Sequence, residues 1–287
     1  MKKMIFLLVA MLGMSAAMMT SCSDDVVDNR VAGDGDAPVT KALPGAHQVK
    51  TIAVTVDGNT EYDTLTYDAN GKLTAFKIAS AMGVKTGTVT RNAGSVVVVC
   101  DDETMGDTLR YTYTLNADGY VSEGSLVNAN DPLNTVLDGM KFLYDGSLLT
   151  NIQQLDGEMY TDLYVFGYTM EEVLETVEDV MSGVISNCNM GTALTRASID
   201  LNWYNMLGAG NAVGDMYLFA VFADLLPNML NLVSGLVLDA DNYVNYSYTI
   251  VPVDKATACT ITSAFSEEDE EGTVHQGTTT TSVVFGY

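Results

Sequence analysis

From His47 to the C-terminus, apolar and polar residues alternate with a period of two. The stretch "TIAVTV" puts Ile52, Val54 and Val56 on one face, and "LRYTYTL" puts Leu109, Tyr111, Tyr113 and Leu115 opposite Arg110, Thr112 and Thr114. "VNYSYTI" sets Val244, Tyr246, Tyr248 and Ile250 against Asn245, Ser247 and Thr249, and "TTSVVFGY" groups Thr281, Val283, Phe285 and Tyr287. Such alternation marks antiparallel strands packed on one side and wetted on the other.

Between the strands one spelling recurs: "YDANGKL" at 67–73, "LNADGYV" at 115–121 and "LDADNYV" at 238–244. Asn116, Ala117 and Asp118 suit a type I turn, and the next position must turn left-handed for the strands to resume through a one-residue bulge. Gly71 and Gly119 adopt that conformation freely, and asparagine, as at Asn242, is the best non-glycine occupant. All three are therefore predicted to be hairpin corners, and "YDGSL" at 144–148 adds a tighter Asp-Gly corner. Calcium is the functional rival for these Asp/Asn loops. "DADNYVNYSYTI" from Asp239 puts Tyr243 at the fifth position of an EF-hand frame and Ile250 at the twelfth, so that pattern fails.

Two segments break the period. "YTMEEVLETVEDVMSGV" at 168–184 aligns Met170, Val173, Leu174, Val177, Val180, Met181 and Val184 as a helical stripe, and a helix is predicted there with a hairpin as the alternative. "MYLFAVFADLLPNMLNLVSGLVL" at 216–238 tempts a transmembrane reading, but Asp224, at roughly +3 kcal/mol near a helix centre, Pro227, Asn228 and Asn231 oppose it. Short buried helices packed over the sheet are expected instead.

The start of the chain supplies an address. Lys2 and Lys3 precede an uncharged run from Met4 to Met19, too short for the ~20 residues that span a bilayer, so 1–21 reads as a signal peptide. Cys22 after a small residue resembles a bacterial lipobox, and "CSDD" resembles the acidic tag of Bacteroidota lipoproteins carried to the outer face of the outer membrane. The resemblance implies cleavage before Cys22 and acylation there. At about 0.8 kcal/mol per buried CH₂, two or three chains hold a protein on a membrane where one does not. An ordinary secretory signal cut after "SAA" is the alternative. Residues 22–45 hold Gly, Asp and Pro without apolar period and read as a flexible acidic tether, leaving 46–287 as a single domain.

Without Lys2 and Lys3, 11 of the 13 basic residues remain against 37 acidic ones, a formal −26. That surface repels phosphate backbones, which argues against nucleic acid as a partner. Cys100, Cys188 and Cys259 form no C-x-x-C pair; Cys100 and Cys259 look like small buried hydrophobes, and a Cys188–Cys259 bridge is the one pairing considered.

The order of "YD-x-x-G-x-L" corners, "IDLNWY" at 199–204, "LLPN" at 225–228, "DADNYVNYSYTI" and a final aromatic strand resembles a family of Bacteroidota lipoproteins of unknown function with a porin-like fold. The resemblance covers most of 46–287 and implies a mainly β protein: a curled antiparallel meander, porin-like or partly closed as a barrel, with one or a few short helices. It implies no catalytic residue. A membrane-spanning barrel would need apolar-out, polar-in strands. A meander with an apolar interior fits these strands better.

Chemistry is sparse. His47 and His275 lack a partner at helical spacing, no G-x-S-x-G, phosphate loop or dinucleotide fingerprint occurs, and no cofactor or metal site is indicated. Carboxylate pairs exist at Asp101, Asp102 and Glu103, at Glu171 and Glu172, and in "EEDEE" at 267–271, the last read as a solvated hairpin tip. The 15 tyrosines, Trp203 and eight phenylalanines are expected mostly in a sheet face, the remainder forming a platform for a glycan or peptide ligand. The expected function is a lipid-anchored outer-membrane, surface-facing lipoprotein that binds or scaffolds without catalysis, with an outer-membrane protein as a further partner. The alternative is a secreted glycoside- or peptide-directed hydrolase using carboxylates in the sheet cavity.

Overall fold

A computed structural model describes residues 47–194, 197–208, 214–229, 231–251, 255–268 and 273–287. The signal segment, Cys22 and the tether lie outside the described residues. The strands are β1 (Thr51–Val56), β2 (Asn59–Tyr67), β3 (Leu73–Ser80), β4 (Gly83–Asn92), β5 (Ser95–Asp102), β6 (Asp107–Leu115), β7 (Val121–Asn128) and β8 (Val136–Asp145). There follow β9 (Leu148–Asp156), β10 (Met159–Tyr168), β11 (Leu174–Asp179), β12 (Val184–Leu194), β13 (Asn231–Val237), β14 (Tyr243–Val251), β15 (Lys255–Glu268) and β16 (Val274–Gly286). Each strand pairs antiparallel with the next, and β1 pairs with β16, Ile52 opposite Phe285, to close a 16-strand barrel.

The alternation read from the sequence decides which side is dry. Ile52, Leu65, Phe76, Val98, Tyr111, Tyr113, Phe166, Val283 and Phe285 are buried within the barrel, while Thr64, Thr74, Thr86, Thr88, Thr90, Lys77, Asn245, Ser247 and Ser282 face solvent. A barrel of this strand number is wide enough to hold an aqueous channel when its lumen is polar. Here the lumen is apolar and something must fill it. The segment between β12 and β13 does so. It runs through α1 (Leu201–Trp203), which continues as a wider π-turn (Tyr204–Gly208), and returns as α2 (Gly214–Phe222). Phe219 packs against Phe76 at 4.5 Å and Tyr111 at 4.9 Å between ring centroids, Trp203 against Phe166 at 5.1 Å, and Tyr204 against Phe285 at 6.4 Å. The helices thus touch strands from all around the wall, inside the barrel. Where they press closest the wall has glycine: a Cβ on Gly124 would lie 2.8 Å from Met216 Sδ.

The meander puts alternate hairpins at opposite ends. The proximal end carries the start of β1, the end of β16 and the corners at 68–72, 116–120 and 169–173; the distal end carries those at 57–58, 81–82, 103–106, 129–135, 157–158, 180–183 and 238–242.

Two of the predicted corners share one set of bonds. Asp68 N donates to Lys72 O at 2.9 Å, Gly71 N to Asp68 O at 3.0 Å, and Asp68 Oδ1 accepts from the N–H groups of Asn70 and Lys72. Asn116 repeats each bond with Gly119, Asp118 and Tyr120. Gly71 and Gly119 have φ of 75° and 78°.

The predicted helix at 168–184 is instead a further copy of this corner followed by β11. Thr169 Oγ1 accepts from Glu171 N and Val173 N, Glu172 N donates to Thr169 O, and Glu172 takes the left-handed seat at φ 61°. Threonine replaces aspartate and glutamate replaces glycine, which hid the turn; the hairpin alternative is what forms. The third predicted corner differs too. Asn242 is not left-handed: Asp239 Oδ1 accepts from Asp241 N and Asn242 N, while the Asn242 side chain returns to the Asp239 carboxylate and receives Ser266 N. Asparagine serves there through its amide. In 216–238 the helix ends at Phe222, and 231–237 is a strand, not a helix. The Cys188–Cys259 bridge is absent, because Cys100, Cys188 and Cys259 are free thiols.

Candidate functional site

The charges of the barrel interior gather near the distal end, where α2 begins. Lys85 on β4 donates to Asp215 Oδ2 at 2.6 Å and lies 3.4 Å from Asp102 Oδ2 on β5. Tyr111 OH reaches Asp215 at 3.4 Å, and Tyr113 OH donates to Met216 O at 2.7 Å. Burial works against the Lys85 ammonium, but Asp215 and Asp102 outweigh it and its pKa ends above the ordinary value. Burial also opposes the Asp102 carboxylate, yet the N–H groups of Met105 and Thr104 and the Lys85 charge hold its pKa below normal. Asp215 in the first turn of α2 also meets the positive end of the helix dipole. The bonds of Lys85 and Tyr111 to Asp215 and of Tyr113 to Met216 fasten the plug to the wall, while Asp102 holds Lys85 in place from the neighbouring strand.

Deeper inside, Tyr204 OH donates to Asp63 Oδ2 at 3.1 Å, while Asp63 Oδ1 is buried without a hydrogen-bond partner. Burial, then the neighbouring Glu61, pushes the Asp63 carboxyl well up. Burial raises Glu61 as well, with Lys85 pulling the other way.

At the proximal end the plug is tied again. Asp200 caps α1 by accepting from Asn202 N at 2.8 Å and Trp203 N at 3.1 Å, and it also receives Met229 N. Burial pushes its pKa up to about 7 against those three N–H bonds. Trp203 Nε1 donates to Pro227 O at 2.7 Å, Arg91 Nη2 to Ala223 O at 2.6 Å, and Val121 N to Leu225 O at 2.9 Å. Asn202 bridges α1 to β13, donating to Asn231 O and accepting from Val233 N.

The residues singled out from sequence do not converge. His47 sits at the proximal end, edge-on to Tyr287 at 6.0 Å, whereas His275 is on β16 near the distal tip. Asp101 is exposed and accepts from Thr108 Oγ1, while Asp102 turns inward. Glu171 and Glu172 belong to the proximal corner, Glu267 and Glu268 to β15, and 269–271 lie outside the described residues. Cys22, the predicted lipid attachment residue, is outside them as well. Tyr111, Tyr113, Tyr120, Tyr204, Tyr217 and Tyr246 are buried, so the aromatic supply is core, with Tyr62 the exposed exception among large tyrosine faces. Among the described residues no group of three or more His, Cys, Asp or Glu side chains is placed to hold a metal ion. The Lys85 cluster was missed because Asp215 lies 130 residues away in sequence. Glu61 and Asp63 had a signal: they share the inward parity of Leu65 and Tyr67 in "NTEYDTLTY".

A groove of ≈ 340 Å³, open to solvent, lies at the distal end between the β13–β14 corner and the β15–β16 arm. Tyr243, Phe265, Asp241, Ser266 and Gln276 line it. The Phe265 ring packs against Gly277, where a Cβ would come to 2.5 Å from it.

Comparison with solved structures finds a porin-like protein from Bacteroides uniformis ATCC 8492, whose crystal structure was determined at 2.32 Å resolution. The TM-score is 0.58 at 18% identity, over 85% of this chain and 99% of that one. The likeness is one of fold. No protein-family model matches the chain, and no curated protein matches it.

Proposed function

We propose that the chain is an outer-membrane lipoprotein, held by acyl groups on Cys22 and facing the cell exterior, whose barrel is a non-catalytic binding or scaffold module. The observation that carries the reading is the inverted barrel: apolar side chains inward, packed on the Trp203–Phe222 plug, and threonine-rich faces outward. A bilayer would demand the opposite polarity, so this barrel stands in water. A plug pinned to the wall by Lys85, Tyr113 and Arg91 leaves the barrel without a conducting lumen. Since β1 starts at the proximal end, a tether of 22–45 would leave there and hold the distal end away from the membrane. The fold shared with a porin-like Bacteroides protein is in keeping with that setting. Of the buried carboxylates, Asp200 caps α1, Asp102 is bonded to Lys85 and its own corner, and Asp63 meets Tyr204 of the plug, which favours a structural use over hydrolysis.

The anchor has a direct test. Cys22→Ser should abolish labelling by a palmitate analogue and move the protein from the membrane to the soluble fraction; unchanged labelling would refute acylation at Cys22. Protease added to intact cells should clip the wild-type barrel, and full protection would refute the outward orientation.

A further inference from the structure

The distal rim is edged with apolar side chains that nothing in the molecule covers. Every distal hairpin except the first carries one, among them Met82, Met105, Leu133, Met159, Met181 and Val274, between 55% and 83% exposed. Neighbouring distal hairpins are two strand spacings apart, about 10 Å, so these side chains form a discontinuous apolar ring. Solitary exposed hydrophobics need no explanation, but their recurrence on nearly every hairpin of one end does. Four of the six are methionines, unbranched and polarisable, which mould to varied partners. Among the described residues of the proximal corners, Met170 and Val173 are exposed, both in one hairpin.

Charge decides the partner. Exposed acids alternate with the ring: Asp57, Glu103, Asp156, Glu158, Asp239 and Asp241. Of the basic side chains toward this end, Lys85 is held inside by Asp102 and Asp215 and Arg110 is bonded to Asn134 Oδ1, while Lys77 is exposed on the outer wall, so acids outnumber the exposed bases. An apolar surface set in negative charge repels anionic lipid, and it repels a second copy of a chain whose formal charge is −24. It complements a segment that is apolar on one face and rich in Lys or Arg on the other.

We propose that the distal rim is a docking surface for a basic amphipathic polypeptide segment of a partner protein. The inference rests on reading the chain as a binding module, and it adds the surface and the partner's chemistry.

The test titrates the non-acylated Cys22→Ser protein into a fluorescent synthetic peptide of Lys and Leu at helical spacing, with a Lys/Ser peptide of equal charge as control. The Lys/Leu peptide should bind more tightly than the control. Combining Met82→Gln, Met105→Gln, Met159→Gln and Met181→Gln should weaken that binding by about tenfold or more, one hot spot's worth. Met170→Gln at the other end should change nothing. Equal binding of both peptides, or full binding by the quadruple variant, would show attraction to net charge alone and overturn the proposal. Sedimentation with phosphatidylcholine/phosphatidylglycerol vesicles, or concentration-dependent dimerisation, lost in the quadruple variant would overturn it in favour of a lipid surface or a second copy. Acylation plays no part in this measurement, so its failure and that of the Cys22 anchor are read separately.

Discussion

Glu172 occupies a seat that Gly71 and Gly119 take without strain, at φ 61° against 75° and 78°. A side chain with a Cβ in that region is disfavoured by about 1–2 kcal/mol, most for β-branched residues. Glu172→Gly is therefore expected to stabilise the protein by about 0.5–1 kcal/mol after the glycine's greater unfolded entropy is deducted, and Gly119→Val to destabilise it by about 1–2 kcal/mol. Urea midpoints read both; shifts of the same sign would refute the shared corner geometry. Asp63 offers a second measurement. Its folded pKa is raised, so the native state keeps a proton that the unfolded chain releases near pH 4. Stability from that proton is full below the unfolded pKa and is lost as pH rises toward the folded one. Asp63→Asn retains the shape without the charge, so its melting temperature should gain on wild type as pH goes from 4 to 8. A gap independent of pH would contradict the assignment.

The elements show what was legible in the sequence and what was not. Strands with clean alternation, such as β6 and β14, and corners written with Asp or Asn and Gly were legible because both signals are local. β11 was not: Glu172 and Thr169 carry the corner with atypical residues, and the valines after them fit a helical stripe as well as a strand. Met170 and Met181, assigned to the buried face of that stripe, are exposed. The helical character of 216–222 was legible, but a buried helix inside a barrel and one laid over a sheet have the same composition. The Lys85–Asp215 pair joins residues that only the closed barrel brings together. The plug is the element on which the interior depends, and Trp203 is its largest buried side chain. Trp203→Ala should lower unfolding stability by about 3–5 kcal/mol through the cavity it leaves. A loss under about 1 kcal/mol would mean that the wall stands without its filling.

For the whole molecule, polarity inside and out predicts behaviour at a membrane. Added to a planar bilayer, the purified protein should give no unitary conductance at any holding voltage, because its outer faces are threonine-rich and its interior is packed. Stepwise currents would contradict both.

Closure by β1 and β16 has a consequence for how the shape is reached. The first strand finds its second neighbour only when β16 has been made, so the ring is sealed by a pairing between strands far apart in sequence. Long-range pairing of this kind is slow, and until it is complete two raw edges and the greasy lining are open to other chains. The plug lies between β12 and β13, ahead of the closing strand in the order of emergence. It is therefore on hand as a mandrel around which the remaining ribbon can wind, and a chain shortened by its final strand would stay an unbuckled belt.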